Sequence, residues 1–98
     1  MTTIPTVEIP FGDTTLDLKV GLAQSKQINS AFGGFVAAYQ KVTGLDLQAC
    51  IAIVALGADK PAPEVEAALY AQGLHVLKAP LERYLNLLAN GGREKAAA

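Results

Sequence analysis

The chain has 98 residues, 51% hydrophobic and 17% charged, with a net charge of −1. That length predicts one domain, over residues 1–92, near the lower limit for a core without staples. Mixed charge with no basic stripe argues against duplex DNA or RNA as the main partner. The single cysteine cannot make an internal disulfide and suits a reducing compartment, with the cytoplasm as the expected location.

The opening MTTIPTVEIPFGD carries no basic start and no apolar run, so no secretory leader is expected. Val7, Ile9 and Phe11 alternate with Glu8 and Pro10, and Leu16, Leu18 and Val20 alternate with Asp17 and Lys19. This period of two flanks GDTT, a turn signal, and predicts a β-hairpin with one apolar face. Pro10 cannot donate to a ladder, which places its strand at an edge. A hairpin is marginal alone, so its apolar face must pack on helices or on a second copy.

From Gly21 the period changes to helical. Ile28, Phe32, Phe35, Tyr39 and Val42 form one stripe, interrupted by Gly33 and Gly34. The pair predicts a helix, a break, and a second helix ending before Gly44. Next, GLDLQACIAIVALG is apolar on two helical faces, which predicts a central helix. Asp46 is its expected N-cap and Gly57 its expected stop. The run from Ala49 to Leu56 is too short to span a bilayer, and no membrane association is expected.

ADKPAPEVEAALYAQG reads as a turn and a helix, with Glu64 and Glu66 in the first turn and Gly73 at the end. Val65, Ala68 and Leu69 are expected to face inward. LHVLKAPLERYLNLLANGG reads as the last helix, with Leu77, Leu81, Tyr84, Leu85 and Leu88 inward. Pro80 should lie in its first turn or kink it. Gly91 and Gly92 end it, and REKAAA, residues 93–98, is expected to fray. The fold class is α+β: an N-terminal hairpin followed by a bundle of four to five short helices.

Candidate chemistry is sparse. Cys50 sits inside an apolar helix, far in sequence from the lone His75, and reads as packing. One His and one Cys are too few for zinc, and no metal or other cofactor is expected. IAIVALGADKP has the shape of a strand entering a nucleotide loop, which would make a small α/β enzyme with its site at Gly57, Ala58 and Asp59. It lacks the glycine spacing of either phosphate-binding motif. Glu64 and Glu66 diverge on a helix and set up no acid–base pair.

The order of VEIPFGDTTLDLKV, GLAQSKQINSAFGG, LQACIAIVALGADK, PAPEVEAALYAQG and LHVLKAPLERYLNLLANGG resembles a family of small proteins encoded in tail gene clusters of phages and gene transfer agents. The family is described as tail tube components or tail assembly chaperones. The likeness spans roughly residues 6 to 92 and is carried by apolar and small residues, with no catalytic signature. It departs at the opening of the first helix, where many members are acidic and this chain has AQSKQINSAFGG. The resemblance implies a non-enzymatic assembly protein that binds the tape-measure protein or another tail protein, with a homo-oligomer as a further possibility. One hairpin supplies too little β-structure for a tube ring by itself.

Large aromatics on helix surfaces commonly dominate interfaces, so Phe35, Tyr39, Tyr70 and Tyr84 are the candidate anchors. A rival binding module is a helix-turn-helix regulator built from PAPEVEAALYAQG and APLERYLNLL. It would have to use Lys78, Arg83, Arg93 and Lys95 on nucleic acid.

Overall fold

The computed structural model describes residues 5–92. Two strands, β1 (Thr6–Phe11) and β2 (Thr14–Lys19), precede five helices: α1 (Leu22–Phe32), α2 (Phe35–Thr43), α3 (Leu47–Ala58), α4 (Ala62–Gln72) and α5 (His75–Ala89). This is the α+β architecture read from the sequence. The expected tail, 93–98, lies outside the described residues.

The strands pair antiparallel, with Val7 opposite Leu18, Ile9 opposite Leu16 and Phe11 opposite Thr14. Only Gly12 and Asp13 separate them. Gly12 has φ +64 and Asp13 is not left-handed, the pattern of a tight type II′ hairpin turn. Val7, Ile9 and Leu18 are buried, with β1 lying over α5 and β2 over α3. The hairpin therefore packs on the helices of its own chain.

Pro10 faces outward from the ladder, as its expected edge position requires. Its carbonyl accepts a bond from Gln72 Nε2 at 2.9 Å, and the Gly12 amide donates to Gln72 Oε1 at 2.7 Å. In a strand, N–H and C=O of one residue point to the same side, so the proline costs β1 no bond to β2. The Gln72 side-chain amide occupies the edge as one peptide of a neighbouring strand would.

α1 and α2 are separate because Gly33 and Gly34 have φ of +77 and +129, which residues with a Cβ rarely adopt. The single stripe read from the sequence is thus split. Ile28 is buried from α1, Ala38 and Val42 from α2, and Phe32 and Phe35 beside the break are half-buried.

α3 is the central helix, with Ala49, Cys50, Ile51, Ile53, Val54, Ala55 and Gly57 buried. Asp46 caps it, its carboxylate accepting from the Ala49 amide at 2.9 Å. Gly57 is not the stop. The helix continues to Ala58 and ends where Asp59 turns left-handed, with Lys60 N–H bonded to Ala55 O and Asp59 N–H to Leu56 O. These are the two bonds of a Schellman ending, made here with aspartate in the place glycine usually holds.

Gly57 serves close approach instead. A Cβ there would stand 2.7 Å from Tyr84 Oη, 3.0 Å from its Cζ and 3.1 Å from Leu18 Cβ. Tyr84 is fully buried and donates its hydroxyl to the Lys19 carbonyl at 2.7 Å.

α4 starts after Pro61, with Glu64 alone in its first turn, and buries Val65 and Leu69. Glu66, two residues further on, lies just past that first turn. In α5 the expected stripe is buried as read, and Leu87 joins it. Pro80 is sixth in α5, beyond the first turn. Having no N–H, it leaves the i−4 carbonyl, that of Val76, without its helical donor.

Gly57→Ala tests the close packing at its centre. Alanine gains about 1 kcal/mol of helix propensity, but overpacking against Tyr84 and Leu18 costs about 1–3 kcal/mol. A net loss of about 1 kcal/mol or more in urea unfolding is expected. Tyr84→Phe should relieve part of the clash, so the double variant loses less than the two single losses added. Unchanged stability in Gly57→Ala would show that the contact is not tight.

Candidate functional site: an apolar groove between α2 and α5

The candidate chemical groups occupy positions that suit packing better than reaction. Cys50 is buried in α3, and its thiol is pushed up to about 11, first by burial and then by the Asp46 carboxylate. A thiol held protonated is a poor nucleophile and a poor ligand. His75 is exposed at the start of α5. Among the described residues, no three His, Cys, Asp or Glu side chains gather into a metal-holding group.

Gly57, Ala58 and Asp59 do not form a phosphate loop. They lie at the C-terminal end of a helix, where carbonyl oxygens and not amides point outward. The sheet is a two-stranded antiparallel hairpin, so the α/β nucleotide fold is overturned. The two helices of the rival helix-turn-helix reading have their main packing partners elsewhere. α4 packs on α3 and β1, whereas α5 packs chiefly on α2 and β1.

What the fold does build is a groove. α2 and α5 run beside each other, tied at one end by Thr43 Oγ1 donating to Glu82 Oε2 at 2.9 Å. Between them opens a hollow of about 360 Å³ lined by Phe35, Val36, Tyr39, Gln40, Leu85, Asn86 and Ala89. Its lining carries no charged side chain. Val36 is 72% exposed and Tyr39 37% exposed, although both are large and apolar in bulk.

Ala89 also lines a second hollow, with Val20, Leu22 and Leu88, and Leu22 is 77% exposed. The two hollows share Ala89 in their linings. In a small domain, large apolar side chains exposed around a hollow mark an interaction face more often than a lone exposed leucine does.

The four aromatics chosen from the sequence separate here. Phe35 and Tyr39 line the groove, one turn apart on α2. Tyr70 is 75% exposed on α4 and is not among the groove residues. Tyr84 is a correction: at 0% exposure it is a core residue and offers no surface to a partner. Its hydroxyl is held protonated well above the usual tyrosine range by burial. The aromatic criterion missed Val36, Leu85 and Ala89. The available signal was Val36, an aliphatic side chain outside the buried stripe of its own helix.

Among the described residues, no helix is long and apolar enough to cross a membrane. No protein-family model, curated protein or solved structure matches this chain.

The buried thiol gives a pH test. Below about pH 9 both the folded and the unfolded chain keep the Cys50 proton, so it adds no slope. Between about 9 and about 11 the unfolded chain loses a proton that the fold retains, so stability falls as pH rises. Cys50→Ala should flatten part of that fall, read as urea midpoints across the range. Equal slopes in both proteins would contradict the burial of the thiol.

Proposed function

We propose that this chain is a non-enzymatic assembly protein of phage or gene-transfer-agent tails that holds a helical segment of the tape-measure protein in the cytoplasm before the tail closes around it. The observation that carries this reading is the uncharged α2/α5 groove with Val36 and Tyr39 exposed at it. The sequence resemblance supplies the biological setting, and the groove supplies a place for the partner.

The match between groove and partner is physical. An amphipathic helix presents apolar residues at i, i+3, i+4 and i+7, and such a stripe lies in a groove between two helices. A tape-measure protein is a long, largely helical chain with apolar faces to be kept from one another. Each copy of a small domain covers a short stretch weakly, and many copies on one long chain act together.

Co-expression tests the proposal. A tape-measure fragment that is insoluble alone should become soluble with the wild-type chain and remain insoluble with Val36→Glu, which places a charge in the groove without touching the core. Tyr70→Ala lies off the groove and should preserve the rescue. No rescue by the wild-type chain, or equal rescue by Val36→Glu, would overturn the assignment of the groove to this partner.

A further inference from the structure

The polar part of the groove lining says which helix it suits. Gln40 from the α2 wall and Asn86 from the α5 wall are its carboxamides, and both are exposed. Among the described residues, neither side-chain amide has a hydrogen-bond partner. An occupant lying along the groove removes water from both. An amide stripped of water and left unpaired weakens binding, whereas a paired one does not.

We infer that the groove selects a helix whose contact stripe combines small or aliphatic residues with an uncharged hydrogen-bonding side chain, Gln, Asn, Ser or Thr, facing Gln40 and Asn86. This rests on the groove being a helix site, as proposed above, and adds the chemistry by which it chooses among helices. A carboxamide both donates and accepts, so a partner Gln can pair with either wall whichever way its amide is turned. An all-leucine stripe leaves Gln40 and Asn86 unpaired. A Lys or Glu there meets no opposite charge in the lining and loses its own hydration. Recognition by neutral groups is also insensitive to salt.

A single helix fits better than a second copy of this chain. α2 has nine residues, so its wall is about 13 Å long. A strip of that length and about 10 Å wide gives a few hundred Å² at most, against the roughly 800 Å² per partner of a standard stable interface.

Two labelled helical peptides with the same Leu/Ala stripe, differing only in Gln or Leu at the two central contact positions, test the inference by fluorescence anisotropy with the full chain. The Gln peptide should bind about tenfold more tightly, with little change as salt is raised. In Gln40→Leu/Asn86→Leu the order should reverse. Both positions are exposed, so the fold should tolerate the change, and Gln40→Ala/Asn86→Ala should abolish the preference without adding apolar surface. Equal binding of both peptides would overturn the selectivity while leaving a helix site in place. Binding of neither would remove both. Light scattering showing a dimer that Val36→Glu dissociates would assign the groove to a second copy and overturn the inference.

Discussion

Tyr84 joins three parts of the fold at one point. Its ring lies against Gly57 of α3, its hydroxyl bonds the Lys19 carbonyl at the end of β2, and its backbone belongs to α5. A glycine is required because the ring occupies the space that any side chain at 57 would take. The hydroxyl is required because burying a phenol without a partner is costly. This contact places α5 relative to α3 and the hairpin, and α5 then forms one wall of the groove. The candidate site thus depends on a core residue that takes no part in it.

The hairpin, the glycine break, the central helix and the two following helices were all legible, because their apolar periods are long and their punctuation is strong. Asp46 was legible as a cap for the same reason. The misreadings share a cause. Gly57 has a plausible local role as a helix stop, and Tyr84 carries two local signals, its place in the inward stripe of α5 and its aromatic ring, of which the choice of interface anchors follows only the second. Their actual roles come from each other, across 27 positions of sequence. Local pattern does not report a contact between residues so far apart. Asp59 was hidden similarly, since a left-handed aspartate makes the ending that glycine was expected to make.

The groove was only half legible. Phe35 and Tyr39 stand out as aromatics on an expected helix, but the opposite wall comes from α5, whose Leu85 and Ala89 look like ordinary stripe residues. The pairing of α2 with α5, and not with α4, sets what faces what. That pairing is tertiary, between elements far apart in sequence, with Val42, Leu81 and Leu85 buried in the shared core.

Gln72 has a consequence for how the hairpin meets other sheets. Sheet edges at high local concentration recruit one another and grow into ribbons. In β1 the stretch from Pro10 to Gly12 is occupied by a side chain that satisfies the main chain as a neighbouring strand would, and Pro10 itself offers no donor. At that end of β1 a second strand would find the main-chain groups already bonded and would have to displace the Gln72 amide before it could pair.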